Sequence, residues 1–154
     1  MNALLFMHIA GAVLLIGNAV TAAFWKIRSD LGRDPRTAHQ TAKNIMIADY
    51  VFTLPGIVLI LVSGHFLAAR AGYTVFEWSW LGLSYGLFLL SGVIWLAALF
   101  PAQRAMIRHS RLSAERGALT KEYERASRVW NAWGTAATLL PIAALVLMTW
   151  KPEL

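Results

Sequence analysis

Two histidines lie inside long apolar stretches of this sequence, where an ionisable side chain is unusual. His8 falls in the stretch 3–25, and His65 falls in the stretch 45–69. In antiparallel helices that rise about 1.5 Å per residue, both imidazoles would lie about one to two turns below the same end of the helices. Two imidazoles at one depth can ligate one haem iron or one other metal ion. We therefore predict that His8 and His65 are the axial ligands of a haem b iron.

His8 shares a face of its helix with small and polar residues. At spacings of three, four or seven residues, this face contains Gly11, Leu15, Asn18 and Ala22. Such a face packs against other helices rather than against lipid, and a histidine inside a membrane is by default a functional residue. The alternative role of His8 is a hydrogen bond between two packed helices.

The direction of His65 fits the shared-ligand prediction less well. On an ideal helix His65 points about 160° away from Asp49, which lies on the small and polar face of the same stretch. Pro55 can kink this helix and rotate its outer half. The alternative is that the imidazole of His65 extends to the lipid headgroups.

Asp49 is the single acidic residue within the four apolar stretches. We expect its carboxylate to be ionised and paired with an arginine of a basic loop, for which Arg104 is the partner that we predict. The functional alternative is a polar site at the inner face, formed by Asp49, Thr53 and Arg104, that takes up protons or binds a substrate.

The composition indicates the elements that hold these residues. Of the 154 residues, 58% are hydrophobic and 14% are charged, against roughly 45–50% and about 25% in soluble domains. A membrane helix needs about 20 apolar residues. We predict a single all-α domain over residues 1–154, an integral membrane four-helix bundle of up-down-up-down order, with spans at about 3–25, 45–69, 80–100 and 130–150.

The distribution of positive charge predicts the orientation. Apart from Arg70 and Lys151, every lysine and arginine lies in the connections 26–44 and 101–129. The positive-inside rule makes these two connections cytoplasmic and both termini external. We therefore predict a multi-pass protein of the bacterial inner membrane whose basic residues contact anionic lipid rather than nucleic acid. The N-terminus lacks the positive charge of a cleaved signal peptide, so we expect the first span to be retained.

Several local patterns complete the prediction. The chain has no cysteine, which excludes disulfides and thiolate metal sites, and it has no phosphate-binding loop or zinc-protease motif. Pro101 predicts a break or a kink at the end of the third span. Good helix formers over 113–128 predict that the fourth helix begins before it enters the membrane. Gly82 and Gly86 form a small-xxx-small pattern that favours close packing or a homodimer.

Four short stretches carry a resemblance to a known family. They are 6–13 (FMHIAGAV), 48–56 (ADYVFTLPG), 101–104 (PAQR) and 148–152 (MTWKP). Together they resemble the bacterial "predicted integral membrane protein" family of unknown function, which has four helices and about the length of this chain.

A more distant similarity is to the HemJ-type protoporphyrinogen oxidases and to the CopD-like copper-resistance membrane domain. The HemJ-type proteins have a histidine early in the first helix and a Thr-x-Pro-Gly in the second, which correspond to His8 and to Thr53, Pro55 and Gly56. They bind haem b, so the resemblance implies a haem or metal site that involves His8. The lysine that they carry near the start of the third helix is absent from 80–85 (WLGLSY), so protoporphyrinogen oxidation is not implied here.

Three functions are compatible with these patterns. The first is a small haem b protein that transfers electrons to a redox partner or senses an oxidant or a gas, with haem-dependent oxidoreductase activity as one form of it. The second is a non-enzymatic assembly or packing subunit of a larger membrane complex. The third is copper or zinc handling through His8, His65 and Met7, whose thioether would suit Cu(I).

Overall fold

The protein is almost entirely helical. The structure, a computed structural model, describes residues 2–153, and these form six α-helices with two π-helical turns among them. The α-helices are α1 (Asn2–Gly32), α2 (Pro35–Ala48), α3 (Leu54–Arg70), α4 (Trp80–Ile94), α5 (Phe100–Arg116) and α6 (Lys121–Trp150). The first π-turn (Asp49–Thr53) joins α2 to α3, and the second (Trp95–Leu99) joins α4 to α5.

Four continuous helical rods result from these elements. They are α1, the α2–α3 rod, the α4–α5 rod and α6, and each is long and apolar enough to cross a membrane. This arrangement confirms the predicted all-α fold with four membrane helices. It also confirms that the fourth helix starts ahead of its apolar part, since α6 begins at Lys121. The end of the molecule that carries residues 26–44 and 101–129 is called the basic end below.

The first connection at the basic end is a tight turn. Between α1 and α2 only Arg33 and Asp34 are outside the helices, and Arg33 adopts a positive φ of 51°. The Asp34 carboxylate accepts hydrogen bonds from the hydroxyl and the backbone N–H of Thr37, and so caps α2. These hydrogen bonds lower the pKa of Asp34. Pro35 follows at the first helical position, where its missing N–H costs no hydrogen bond.

Each π-turn lies directly ahead of a proline. A proline inside a helix has no N–H to donate, and its ring collides with a preceding carbonyl. The wider turn accommodates this, because Leu54 donates its N–H to the carbonyl of Asp49 and Phe100 donates to that of Trp95. Of the predicted break or kink at Pro101, the structure shows no break, since the helix continues through the π-turn as far as Arg116.

Within the membrane part, the four rods are arranged as two hairpins. α1 packs along α3, and α4 packs along α6. At the crossing of α1 and α3 the two backbones are so close that a Cβ on Gly11 would lie 2.9 Å from the carbonyl oxygen of Gly56. In the described part of the chain, α3 makes no close backbone contact with α4 or α6. The two hairpins thus diverge away from the basic end.

At the basic end the hairpins are joined by a compact core. There α2 packs against α5, and α5 packs against the first part of α6. The core consists of Ala38, Ala42, Met106, Tyr123 and Ala126. Small alanines let α2 lie close to its neighbours, while Met106 and Tyr123 fill the remaining space. This core fixes the two hairpins relative to each other.

Candidate functional site

A cavity of about 880 Å³ lies between the two hairpins. Its walls are mainly apolar, with Ile57 and Leu61 on the side of α3, Phe88 and Leu89 on the side of α4, and Pro141 on α6. At about 1.5 Å per residue, Leu61 lies about 18 Å further along the helix axis than Asp49. The cavity is therefore long enough for a hydrocarbon chain.

The floor of the cavity, toward the basic end, is polar. Asn18 of α1 donates its side-chain N–H to the Asp49 carboxylate at 3.1 Å and to the Thr53 hydroxyl at 2.9 Å. The Thr53 hydroxyl in turn donates to the same carboxylate oxygen at 2.8 Å. Asp49 and Thr53 both line the cavity, and Thr53 is buried. This closed triangle satisfies an acidic side chain without any cation.

Gln103 adds an amide to this floor that has no protein partner. Its side chain is fully buried, lines the cavity and lies near the Asp49 carboxylate together with that of Trp95. Among residues 2–153, neither its amide nitrogen nor its amide oxygen has a hydrogen-bond partner. An unpaired buried amide costs roughly 1–3 kcal/mol. Both amide atoms are also closed off from the cavity by neighbouring atoms, so a bound molecule reaches them only when the floor opens.

The two π-turns supply much of this floor. Asp49 and Thr53 belong to the first π-turn, and Trp95 belongs to the second. Gln103 follows one turn after the second, on α5. π-turns are rare and occur often at functional sites. The two irregular segments of the helices thus meet at one place, next to the polar end of the cavity.

The predicted partner of Asp49 is not found in the structure. Arg104 makes no ion pair with it; the guanidinium instead lies over the ring of Phe100, 5.8 Å from its centroid. The expected salt bridge is therefore wrong, because Gln103 rather than Arg104 occupies the inward-facing side of α5. Of the predicted inner-face group, the structure brings Asp49 and Thr53 together and leaves Arg104 outside.

His8 packs between α1 and α3, away from the cavity. Its Nδ1 lies 3.1 Å from the carbonyl oxygen of Ile60 and 3.2 Å from the Ser63 hydroxyl. A Cβ on Gly64 would lie 2.8 Å from the ring, so the imidazole lies directly on the backbone of α3. This agrees with the prediction that His8 faces another helix.

The structure does not bring His65 to His8. His65 is exposed on α3, and its ring packs edge-on to Phe66 with centroids 6.4 Å apart. Over residues 2–153, no hydrogen bond or ring contact joins the two imidazoles, and no three His, Asp or Glu side chains are grouped to hold a metal ion. The shared ligation of one iron remains a prediction.

A second polar cluster lies at the basic end, outside the cavity. Lys26, fully buried, forms an ion pair with Asp30 and donates to the Ser127 hydroxyl at 2.7 Å. The Tyr123 and Ser127 hydroxyls both donate to Asp30, at 2.9 and 2.8 Å. The cluster ties α1 to the start of α6. In the sequence, Lys26 is one of several basic residues of the first connection. Only its spacing of four residues from Asp30 indicates this ion pair.

These features define an integral membrane protein with four helical spans and a polar-floored cavity between two hairpins. The chain belongs to the family described as "Predicted integral membrane protein (DUF2269)", whose model matches residues 2–152. This confirms the predicted membrane-protein family. No curated protein and no solved structure matches the chain. The more distant similarity to HemJ-type and CopD-like proteins remains a prediction.

Proposed function

We propose that this protein binds a membrane-soluble molecule with a polar, uncharged head inside the cavity between its hairpins. The observation that carries the proposal is the Gln103 amide, buried without a hydrogen-bond partner among the described residues, beside the polar floor of a mainly apolar cavity. Buried polar groups in proteins are almost always hydrogen-bonded. A ligand that completes this pairing and fills the space explains both features.

The free atoms of Gln103 specify the head of the ligand. The amide nitrogen donates and the amide oxygen accepts, so the head must both accept and donate a hydrogen bond. A hydroxyl group does both, whereas a carboxylate only accepts and an ammonium only donates. The Asp49 side chain already has its donors in Asn18 and Thr53, so Gln103 remains for the head of the ligand. The ligand is therefore a lipophilic alcohol or a molecule with an equivalent head.

The tail of the ligand follows from the walls. The residues that line the cavity beyond its floor are mainly apolar, from Leu15 on α1 to Leu89 on α4, with Ser91 of α4 and Thr138 of α6 among them. Burying hydrocarbon against them inside a bilayer gains little from water exclusion, so the affinity must come from close packing and from the head. This predicts a ligand that the protein selects by its head and orients by its tail.

Photo-crosslinking in detergent tests the proposal. Three probes would share one diazirine-bearing alkyl chain and end in a hydroxyl, a carboxylate or a trimethylammonium group. We expect the alcohol probe to label cavity residues of α3 and α4, located by mass spectrometry, well above the other two. Gln103→Leu, close in volume to the native residue, should reduce this labelling on the order of tenfold.

The matched control is Gln40→Leu, because Gln40 is an exposed glutamine of α2 whose amide donates to Asn44. It should label as the wild type does. Thr53→Val provides a second, isosteric change of the floor should Gln103→Leu lower the yield of folded protein. Equal labelling by all three probes, or labelling that neither floor variant changes, would overturn the proposal.

A haem site at His8 is the second candidate. The contact of Nδ1 with the Ile60 carbonyl supports it, because histidines that ligate metals commonly donate their other ring N–H to a backbone carbonyl. With Nδ1 protonated, Nε2 keeps its lone pair for an iron ligand. When bound, haem would supply electron transfer or gas binding; His8 would hold the iron, and Ile60 would fix the tautomer and direction of the ring.

An absorption spectrum after haem titration tests this second candidate. A site centred on His8 predicts a Soret band that His8→Ala removes and His65→Ala retains. Ligation by both histidines predicts that either substitution changes the band, because each removes one axial ligand. Without a Soret band in the wild type, the haem candidate is eliminated and the cavity proposal is unaffected.

A further inference from the structure

A second cavity, of about 590 Å³, lies at the basic end between α2 and α5. It is separate from the cavity between the hairpins and faces the outside of the molecule. Three arginines of α5 line it, Arg104, Arg108 and Arg111, whose spacings of four and three place them on one face of the helix. His39 of α2 lines it as well, and its Nδ1 contacts the Ser110 hydroxyl at 3.0 Å.

The positive charge of this groove is largely uncompensated. Over residues 2–153 neither Arg104 nor Arg108 has a carboxylate within ion-pair distance. Arg111 has only Glu115, at 3.9 Å, and both of these side chains are mostly exposed. Three guanidinium groups on one helix face, with one distant acid, form a site for an anion that can accept several hydrogen bonds.

The rest of the groove is apolar. Met46, Phe100 and Ile107 line it, and the ring of Tyr50 adds an aromatic surface with a polar tip. Phe100 lies where the predicted third span ends, so this surface continues into the hydrocarbon region. Tyrosines at such a level commonly lie among the headgroups. A soluble anion would leave this apolar surface uncovered, whereas an acyl chain would cover it.

We propose that the groove between α2 and α5 binds the phosphodiester headgroup of an anionic phospholipid, with an acyl chain against Met46, Phe100 and Ile107. The three arginines hold the phosphate, and Arg104, stacked on Phe100, marks the boundary between the headgroup and the chain. This site is independent of the ligand proposed for the other cavity. It gives the basic end a defined lipid position rather than a diffuse attraction to the membrane.

Native mass spectrometry of the full chain in neutral detergent tests this proposal. Phosphatidylglycerol and phosphatidylcholine with identical acyl chains would be titrated separately. We expect one phosphatidylglycerol to be retained on the order of tenfold more strongly than phosphatidylcholine. The double substitution Arg104→Gln and Arg108→Gln should remove this preference. The matched control is Arg125→Gln with Arg128→Gln, which removes the same charge from exposed positions of α6 at the same end.

Each other outcome overturns the proposal. If both double variants lose the preference equally, the attraction belongs to the net charge and not to the groove. If excess inorganic phosphate displaces phosphatidylglycerol, the site takes free phosphate and the acyl chain adds nothing. If the two lipids bind with equal strength, the arginines do not discriminate between the two headgroups. All four side chains are exposed, so size-exclusion elution serves to show that the variants remain folded.

Discussion

Lys26 is a charged residue whose burial is costly in this structure. Its ammonium group is fully buried, and removing such a charge from water costs several kcal/mol unless partners compensate. Asp30 supplies the opposite charge, and the Ser127 hydroxyl supplies an acceptor. Tyr123 lies beneath the ammonium group, which is 5.3 Å from the centre of its ring. The stability of the basic end therefore depends on keeping this group of partners complete.

We predict that Asp30→Asn destabilises the protein by about 3 kcal/mol, because it leaves the Lys26 charge buried without its counter-ion. Thermal or denaturant unfolding in detergent would measure this. Glu115→Gln is the matched control; it removes an acid from an exposed pair at the same end and should change stability by less than about 1 kcal/mol. Adding Lys26→Met to Asp30→Asn should recover part of the loss. Equal effects of the two single substitutions would contradict the prediction.

At the residue scale, the sequence predicts which face of a helix a residue lies on better than it predicts which side chain it contacts. The helical wheel of α1 correctly placed His8 and Gly11 toward a neighbouring helix, because one face alone carried small and polar residues. The same reasoning could not choose between Arg104 and Gln103 as the neighbour of Asp49. Adjacent residues differ by about 100° around a helix, and the π-turn before Pro101 changes the rotation of everything that follows.

Among the elements, the α1–α3 pair is the most tightly packed. A Cβ on Gly11 would meet three atoms at 2.9 Å, the carbonyl oxygen of Gly56, a side-chain carbon of Ile60 and the Cβ of Leu59. Such close approach is the means by which membrane helices gain packing energy, since water exclusion does not favour their association. Gly17, two turns further along α1, is exposed, and a Cβ there meets nothing within 4 Å.

We predict that Gly11→Ala destabilises the protein by about 1–3 kcal/mol, since the added methyl group forces α1 away from α3. Gly17→Ala is the matched control in the same helix. Because alanine favours helices over glycine and no contact opposes it, this change should be neutral or slightly stabilising, by up to about 1 kcal/mol. Unfolding curves of both variants and of the wild type in the same detergent would measure these changes in stability. A loss of stability at Gly17 as large as that at Gly11 would argue against the helix crossing.

At the scale of the elements, the sequence predicts the four helices but not the two π-turns. Four long apolar stretches predicted four helices, and the structure has them. Pro55 and Pro101 predicted kinks or breaks, but neither the rule for proline nor hydrophobic periodicity predicts a π-turn. A π-turn needs only one extra residue ahead of the proline, and no residue type marks that insertion. The sequence therefore predicted Asp49 and Thr53 of the cavity floor, but not Trp95 and Gln103, which belong to the second π-turn and to the helix that follows it.

As a whole, the molecule is closely packed within each hairpin and at the basic end, and least packed between the hairpins. The alanine-rich core and the Lys26 cluster both lie toward residues 26–44 and 101–129. Composition and charge predicted four spans and one basic end, because both depend only on the sums of residue properties. They could not predict that the spans form two separated pairs, since pairing depends on which faces touch.

The separation of the hairpins is itself testable, and the absence of native cysteine makes the test direct. No Cα atom of α3 lies within 8 Å of one in α4, whereas a disulfide requires Cα atoms about 7 Å apart or less. We predict that Leu61→Cys with Leu89→Cys, across the cavity, forms no disulfide under mild oxidation.

Within one hairpin, Ser91→Cys with Ala137→Cys should form a disulfide readily, because the Ser91 hydroxyl donates to the Ala137 carbonyl at 2.7 Å. Mobility on non-reducing gels would measure both pairs. Rapid oxidation of the Leu61 and Leu89 pair in delipidated protein would mean that the hairpins close on each other. The cavity, and with it the ligand that the Gln103 amide would bind, would then have no space in which to exist.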